Sequence, residues 1–321
     1  MGNNARTIMR TRLASYHTDA MMIFMQSLFN RDTLTAEAFT VRPAQITDRA
    51  AIYHLTENSH RVHFNLDWWT FDHWLYEERP SDAIWLAHYR NELAGLLVAP
   101  YDDSPVIWLR SIAIANAYSA DPIFAALFRQ ARSSWQSLGV ELVVVMAHPE
   151  WVGALTQRLN FEKYNEIVTL RKSDRGLPVS DRPAAAVIRP AVYADVPAIV
   201  VNDRAAFDTI WWHSEASLLH VLKMVAHFIV AEIDDRVVGH AFSDLYGGQG
   251  HLIRLVVNPA YQRRGLGEQL LAASLSYQIG LGAYPLTLNT QIDNFASQAL
   301  YQRFGFQPAG QPVKVLQYRL S

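Results

Sequence analysis

The residues whose types and spacing most strongly suggest chemistry lie in Val257–Gly267, which reads V-N-P-A-Y-Q-R-R-G-L-G. Gly265 and Gly267 carry no side chain where the backbone would turn into a following helix. Such a turn leaves unpaired backbone N–H groups at the positive end of a helix dipole, where proteins commonly bind phosphate. Arg263 and Arg264 add positive charge beside these groups. The pattern therefore predicts an anion-binding loop.

A strand and a helix must position this loop. The apolar run Leu252–Val257 precedes it, and Asn258 and Pro259 end that strand because proline cannot donate to a ladder. After the loop, Glu268–Ile279 has its leucines at helical spacing. The loop is thus a predicted strand-to-helix junction, and a G-x-G pattern alone would say little about function.

The whole string V-x-P-x-x-Q-R-x-G-x-G is more specific, and it resembles the acetyl-CoA-binding motif of the GNAT superfamily of N-acyltransferases. Further along the chain, Asn294–Tyr301 and Arg303–Phe306 look like the second signature of that family. The order of predicted strands and helices in residues 187–321 also resembles the GNAT fold, an α/β architecture with an α+β mixed sheet. The resemblance implies an N-acetyltransferase with acetyl-CoA as the acyl donor.

The resemblance also implies how the donor is held. The loop Gln262–Gly267 takes the pyrophosphate, and Asn294 matches a residue that in many members contacts the pantetheine arm. In the family the strand before the loop splays from its neighbour. The free N–H groups, here those of Leu255 and Val257, then polarise the thioester oxygen. The residues so assigned to acetyl-CoA are Leu255, Val256, Val257, Gln262, Arg263, Arg264, Gly265, Leu266, Gly267, Asn294 and Tyr301.

Two side chains are candidates for proton transfer. Tyr301 matches the family's tyrosine that protonates the leaving thiolate, and its alternative role is to pack a helix on the core. His251, at the start of the strand before the loop, is the first candidate for the base that deprotonates the amine, because imidazole titrates near neutral pH. Family members place this base variably. The alternatives are Glu215, Asp244 and His240.

Recognition of the acceptor in the family comes largely from the first two helices and the loop between them. That region contains Trp211, Trp212 and His213, which we assign to substrate binding. A tryptophan pair can form an aromatic wall for an apolar or cationic acceptor. The matching pair Trp68 and Trp69 in the first half favours packing for at least one member of each pair.

The chain contains an internal repeat, which defines the predicted domains. Segments of residues 41–172 recur in residues 187–321 at an offset of 143 to 147, including V-R-P-A at Val41 and I-R-P-A at Ile188. A polar stretch, 173–186, links the two halves. Residues 1–40 match nothing later in the chain and are interpreted as an N-terminal arm or a packed amphipathic helix.

The first half lacks the features that would bind CoA. Opposite the phosphate loop it carries Asp121, which would repel phosphate, Pro122, which has no N–H, and Phe124, which adds bulk. Opposite Tyr301 stands Thr156. We interpret residues 41–172 as a degenerate GNAT-like domain. The alternative is that this half binds an acyl carrier in an altered way.

Composition limits the partners. With 18% charged residues and a net charge of −2, the chain offers no electrostatic reason to expect nucleic acid or a membrane as a partner. There is no cysteine, which excludes a thiol nucleophile and fits a cytoplasmic location. GNAT chemistry needs no metal, and none is predicted. The oligomeric state stays open, with a homodimer as the candidate assembly.

The predicted reaction is direct attack of a primary amine, on a small molecule or a peptide, on the thioester of acetyl-CoA. A non-catalytic acyl-CoA-binding or scaffolding module is the alternative, since the same loop would serve it. A tRNA-dependent aminoacyl transferase on the same double fold is disfavoured, because those proteins lack the pyrophosphate loop that Gln262–Gly267 retains.

Overall fold

The structure is a computed structural model, and it describes residues 33–66, 69–76, 83–178 and 186–320. Three parts of the sequence predictions lie outside these residues: most of the N-terminal arm (1–32), Trp68, and residues 179–185 of the linker. The chain divides into two compact units. Unit 1 consists of the chain up to Phe64 with Phe71–Ala99 and Arg110–Ser134, and unit 2 of Asn65–Thr70, Pro100–Leu109 and Trp135–Ser321.

Helices and strands alternate along the described chain. The helices are α1 (Arg49–Asn58), α2 (Phe71–Tyr76), α3 (Ala120–Ser137), α4 (Glu150–Gln157), α5 (Val196–Ala206), α6 (Glu215–Met224), α7 (Leu266–Gly280) and α8 (Phe295–Arg303). The strands are β1 (Thr40–Pro43), β2 (Arg61–Phe64), β3 (Ile84–Tyr89), β4 (Glu92–Val98), β5 (Val106–Trp108), β6 (Ser111–Ile114), β7 (Leu142–Met146), β8 (Glu162–Lys172), β9 (Val187–Pro190), β10 (His227–Ile233), β11 (Arg236–Tyr246), β12 (Gln249–Val257), β13 (Leu286–Gln291), β14 (Gln307–Pro308) and β15 (Val313–Arg319).

Each unit contains a sheet. The sheet of unit 1 has the order β1-β3-β4-β6-β2, with antiparallel neighbours throughout. The sheet of unit 2 has the order β5-β7-β15-β8-β13-β12-β11-β10-β9, with β14 beside β8. Within unit 2, β12 with β13 and β5 with β7 are parallel pairs, and the other neighbours are antiparallel. The mixed α/β fold class predicted from the sequence is confirmed.

The order in unit 2 interleaves strands from both sequence halves. Strand β15, at the end of the chain, lies between β7 and β8, and β8 in turn lies between β15 and β13. The predicted division at 41–172 and 187–321 follows the sequence repeat and stays a prediction. In the second half, the predicted strand Leu252–Val257 lies within β12, and the predicted helix Glu268–Ile279 lies within α7.

The repeat is visible in local details that each unit carries by itself. The hairpin β3–β4 shifts register after Ala87, and the hairpin β10–β11 shifts after Ala231, 144 residues later. A bidentate ion pair joins Arg42 to Asp48, at 2.7 and 2.7 Å, and an equivalent pair joins Arg189 to Asp195, at 2.8 and 2.9 Å. These matches support one ancestral plan for both halves.

The apolar core of unit 2 lies on both faces of its sheet. One cluster packs α7 and α8 against β11, β12 and β13, and it includes Leu252, Leu270 and Phe306. The other packs α5 and α6 against the opposite face, and it includes Ile199, Leu218 and Phe242. Strand β12 contributes side chains to both clusters, so both faces of the sheet hold it in place.

Candidate active site

Strand β12 separates from β13 partway along its length. Their parallel pairing covers three registers and ends with Leu252 opposite Leu288, although β12 continues to Val257. At the same point the β12 ladder with β11 shifts register, so that Phe242 faces Arg254 while Ser243 faces Leu252. An extra residue in one strand increases local twist and bends the strand away from its neighbour. The sequence-predicted splay is therefore present as a gap between β12 and β13.

The backbone N–H groups that face this gap follow from the ladder. The N–H of Asn258 donates to the carbonyl of Val238 on β11 at 2.9 Å. In an antiparallel ladder successive residues alternate between facing the partner and facing away. Because Asn258 faces β11, the N–H groups of Leu255 and Val257 face away from it, on the side where β13 has diverged. These are the two donors expected to polarise the thioester oxygen.

The loop Gln262–Gly267 follows β12 through a short 3₁₀ turn, Pro259–Tyr261. Arg263 and Gly265 both have left-handed backbone conformations, with φ of 66° and 86°. Within the part of the chain that the structure describes, the backbone N–H groups from Arg263 to Glu268 donate to no protein oxygen. Proteins commonly bind anions with successive N–H groups in such a conformation, and here these groups lie at the start of a helix of 15 residues.

Gly265 and Gly267 are not equivalent. A side chain at Gly265 would have to adopt the left-handed conformation, which costs about 1–2 kcal/mol for an L-residue. At Gly267, a Cβ atom would meet only Leu300 Cδ2, at 3.4 Å, and Val257 Cγ2, at 3.9 Å, which are ordinary contacts. The backbone conformation therefore favours glycine at 265, whereas neither backbone strain nor packing requires glycine at 267.

Side chains on the neighbouring elements hold the loop in place. Asn258 accepts a bond from the backbone N–H of Ala260 at 3.0 Å and donates to Asn202 on α5 at 2.8 Å. Gln262 donates to the carbonyl of Val257 at 3.1 Å. Arg264 lies over the ring of Tyr261, with the guanidinium carbon 5.2 Å from its centroid. The assigned Gln262 thus supports the turn, while Arg263 is exposed.

Helix α8 brings Tyr301 close to the loop. Leu300 lies against Gly267, and the next residue, Tyr301, is 6% exposed within the core formed by α7 and α8. Burial raises the pKa of Tyr301 to about 12, and a hydrogen bond with Ser297 opposes that rise. At neutral pH the phenol therefore keeps its proton. A protonated phenol is what a departing thiolate requires.

Asn294 begins α8. Its side-chain oxygen accepts the backbone N–H of Ser297 at 3.2 Å, which caps the helix. Gln298 donates to the carbonyls of Gln291, at 3.0 Å, and Ile292, at 2.8 Å, and so joins α8 to the end of β13. Capping uses the amide oxygen of Asn294 and leaves its NH₂ group for other contacts. The α8 terminus is thereby fixed at the edge of the gap.

The four candidates for the general base differ in accessibility. His251 is partly buried on β12, its Nδ1 lies 2.8 Å from Thr287 Oγ1, and burial lowers its pKa. His240 is fully buried and burial lowers its pKa to about 3, so it is neutral and closed to solvent. Asp244 accepts two backbone N–H groups, and Glu215 is exposed at the start of α6. His251 is the candidate that is neutral at pH 7 and lies on the strand that lines the gap.

The predicted acceptor residues lie between α5 and α6. Trp211 packs on Trp108, with ring centroids 5.3 Å apart, and Trp212 donates its indole N–H to the carbonyl of Phe207 at 2.7 Å. The backbone N–H of His213 donates to Asp203 at 3.2 Å. Trp211, Trp212 and His213 are all partly buried, so packing accounts for much of their surface. Trp69 stacks on His220, with centroids 4.0 Å apart.

A buried ion pair that sequence reasoning missed joins this segment to β12. Arg254, at the register shift, makes two hydrogen bonds to Asp203 on α5, at 2.9 and 2.8 Å, and a third to the carbonyl of Trp211 at 2.8 Å. Its guanidinium lies 3.6 Å from the ring centroid of Phe207. A sequence signal was present, because an arginine inside an apolar strand and an aspartate inside a helix core each need a partner.

Two further observations concern partners and metals. In the portion of the chain described by the structure, no helix is both long and apolar enough to cross a membrane. The same residues contain no group of three or more histidine, aspartate or glutamate side chains arranged to hold a metal ion.

Comparison with known proteins identifies related chains. A family model described as Acetyltransferase (GNAT) family matches residues 197–306. The mycothiol acetyltransferase of Nocardia farcinica is 29% identical over 248 residues, which is 70% of this chain and 79% of that protein. An N-alpha-acetyltransferase of Sulfurisphaera tokodaii is 30% identical over 112 residues, which is 31% of this chain and 65% of that protein.

Among solved structures, a tandem GNAT protein from the clavulanic acid biosynthesis pathway is similar to this chain with a TM-score of 0.61. The similarity covers 88% of this chain and 99% of that one, at 14% sequence identity. At this identity the likeness concerns the fold. It extends over almost the whole chain, beyond the segment that the family model matches.

Proposed function

Since the chain belongs to the GNAT family of acetyltransferases, we propose that it moves the acetyl group of acetyl-CoA to a primary amine by direct attack. The observation that carries this proposal is the gap between β12 and β13, which ends in a helix N-terminus with unpaired N–H groups. The first N–H groups of any helix lack intrahelical partners, and here they occur together with the left-handed residues Arg263 and Gly265 and with the gap, a combination that suits a phosphate and a thioester.

The residues present fit an acyl-CoA. Positive charge from Arg263 and Arg264 and the N–H groups of Gly265–Glu268 suit a pyrophosphate. The N–H groups of Leu255 and Val257 suit the thioester oxygen, where negative charge develops as the nitrogen attacks. When bound, acetyl-CoA supplies an activated acyl group whose leaving group is a thiolate.

The protein's own side chains account for the protons. His251 accepts one proton from the acceptor's ammonium, because only the neutral amine has a lone pair. As the N–C bond forms and the C–S bond breaks, the sulfur takes a proton from Tyr301. The nitrogen then releases its second proton to the Tyr301 phenolate, which becomes a neutral phenol again. Overall, an ammonium and a thioester give an amide, a thiol and one released proton.

The acceptor is proposed as a primary amine on a small molecule or a peptide. One relative described above is a mycothiol acetyltransferase and another is an N-alpha-acetyltransferase. Trp211, Trp212 and His213 are proposed to line the entry for the acceptor, held by the Arg254–Asp203 pair. A location in the cytoplasm stays a proposal that rests on the lack of cysteine.

The test is a thiol-release assay with acetyl-CoA and a panel of primary amines, namely a peptide that begins with alanine, an amino sugar and a diamine. We expect release that depends on one class of amine and an acetylated product of matching mass. Binding of acetyl-CoA without turnover on any amine would instead support a binding module.

A further inference from the structure

The pair formed by His251 and Thr287 lies at the last part of the β12–β13 ladder. His251 faces Thr287 in the parallel register, and the next pair, Leu252 with Leu288, is the final one before the strands diverge. His251 therefore lies one pair before the point where the gap begins. Both strands hold the backbone at this position.

Hydrogen bonds at this pair determine which imidazole nitrogen carries the proton. Thr287 Oγ1 lies 2.8 Å from His251 Nδ1 and 3.2 Å from the carbonyl oxygen of Gly250. A carbonyl oxygen can only accept a hydrogen bond, so the Thr287 hydroxyl donates its one proton to Gly250. The hydroxyl oxygen can then accept a hydrogen bond only from a protonated Nδ1 of His251. If Nδ1 were bare, the hydroxyl would have one proton for two acceptors. The arrangement therefore favours the tautomer protonated on Nδ1.

This tautomer leaves the lone pair on Nε2. Among the described residues, no group forms a hydrogen bond with His251 Nε2. This nitrogen is also not buried. Across the β11 ladder stands Asp244, whose carboxylate accepts the backbone N–H groups of Ala226 and Leu245. His251 Nε2 is thus open to a proton from outside the protein.

The carbonyl of Gly250 is itself held tightly. The backbone N–H of Gly250 donates to the carbonyl of Pro285 at 3.1 Å. A Cβ atom at residue 250 would come within 2.0 Å of Gln278 Oε1 and 2.7 Å of Leu286 Cδ2. The close approach of α7 and β13 therefore requires glycine. The acceptor for the Thr287 hydroxyl cannot shift without moving these elements.

We infer that Thr287 is a positioning residue: it fixes His251 in the Nδ1-protonated tautomer so that Nε2 receives the proton of the acceptor amine. The inference rests on the proposed function and adds a residue to it that the donor-binding and proton-transfer assignments do not include. Thr287 touches neither the donor nor the reacting atoms in this account. It acts through His251.

The test compares Thr287→Val, which keeps the shape but removes the hydroxyl, with Thr287→Ser, which keeps the hydroxyl. Nitrogen NMR of the imidazole side chains reports the tautomer, and His251→Gln identifies the His251 signals among those of the 12 histidines. We expect Nδ1-protonated His251 in the wild type and in Thr287→Ser, and the Nε2-protonated form in Thr287→Val. An unchanged tautomer in Thr287→Val would overturn the inference.

Turnover provides the second measurement, with acetyl-CoA and the panel amine that the wild type acetylates fastest. We expect Thr287→Val to lower kcat by about tenfold or more with KM nearly unchanged, and Thr287→Ser to recover most of the rate. Equal kcat values for the two variants would also overturn it. If the wild type turns over no amine, the proposed function fails, while the NMR comparison still decides the role of Thr287. Equal acetyl-CoA affinity in both variants would establish that each is folded.

Discussion

Two strand-to-helix junctions of this chain have the same place in the repeat but different character. The first junction, Ala115–Ser119, joins β6 to α3 in unit 1, and side chains of that unit form hydrogen bonds with it. Tyr118 is 3% exposed and donates its hydroxyl to Glu92 at 2.7 Å, while its carbonyl accepts from Arg61 at 2.9 Å. Asn116 accepts from the backbone N–H of His60 at 2.9 Å. Side chains of the unit thus occupy this turn.

The second junction, Asn258–Gly265, joins β12 to α7 in unit 2 and is longer. It has two residues with positive φ, Arg263 and Gly265, whereas no residue of the first junction does. The N–H groups at the start of α7 have no protein partner in the described structure. An acid does stand in the first turn, Glu268, but Arg303 holds it at 3.2 Å.

Since the first N–H groups of any helix lack intrahelical partners, the difference between the two junctions lies in the left-handed residues and the arginines of the second. Both junctions follow a strand and precede a long helix, so the element order alone does not distinguish them. In the first, Asp121 stands in the opening turn of α3 and Phe124 is fully buried, in contact with Phe128. In the second, the residue that corresponds to Phe124 is Gly267, which has no side chain. We therefore propose that only the second half of the chain binds acetyl-CoA.

The largest expected effect comes from Gly265→Asp. A carboxylate in the phosphate loop repels the pyrophosphate, and the left-handed backbone is strained for aspartate. We expect acetyl-CoA affinity to fall by more than about 100-fold, which corresponds to about 2.7 kcal/mol. The matched control is Ala117→Asp, which adds the same charge to an exposed position of the first junction. An equal loss of affinity in the control would break the comparison.

Tyr301→Phe should have the next largest effect. Because the pKa of Tyr301 is raised to about 12, its hydroxyl is protonated over the whole working pH range. Removing it should lower kcat by roughly 100-fold while the acetyl-CoA dissociation constant stays the same. Thr156→Val is the counterpart in the first half. Its buried hydroxyl bonds only to backbone carbonyls of α4 among the described residues, so kcat should be unchanged.

Glycines in the two hairpins test a packing feature that both halves share. A Cβ atom at Gly95 would lie 2.4 Å from Ile123 Cγ2, and one at Gly239 would lie 2.7 Å from the carbonyl oxygen of Val256. Alanine at either position should cost about 1–3 kcal/mol of the free energy of unfolding, measured by urea denaturation. The control is Gly280→Ala, which has open space at the end of α7 and should be neutral or slightly stabilising. A neutral Gly95→Ala would mean that unit 1 no longer needs this close approach.

The smallest effects should come from the repeated ion pairs. Hydrogen bonds from Arg42 and Arg189 hold the pKa of Asp48 and Asp195 below the ordinary value. Each aspartate therefore contributes stability that is present above its unfolded-state pKa and is lost as pH falls through the lower folded-state value. Asp48→Asn and Asp195→Asn should each cost about 0.5–1 kcal/mol at pH 7, and the cost should vanish in strong acid. Thermal melts across pH 2 to 7 would measure this destabilisation. Destabilisation of the Asn variants that persists at low pH would contradict the prediction.

Local sequence patterns were sufficient for much of the second half. The apolar run before Val257 predicts β12, and the leucine spacing after Gly265 predicts α7, because alternation and helical period depend on neighbouring residues. The gap beside Leu255 and Val257 came from the family resemblance and not from the strand pattern. The register shift that accompanies it leaves no composition signal.

The pairing of strands and side chains that are distant along the chain could not be predicted from the sequence. The run Val313–Leu320 predicts a closing strand, but nothing in it specifies that β15 lies between β7 and β8. Trp211 was assigned to the acceptor, whereas its ring also packs on Trp108, from the first half. The pairing of Arg254 with Asp203 could not be predicted either. A buried charge indicates that a partner exists, but it does not indicate which residue is the partner.

Calorimetric titration of acetyl-CoA into the wild-type chain would give the number of binding sites directly. We expect one site per chain, formed by the second junction and its gap. Two sites would contradict the proposal that the first half has lost the donor. No binding would contradict the assignment of the second junction itself.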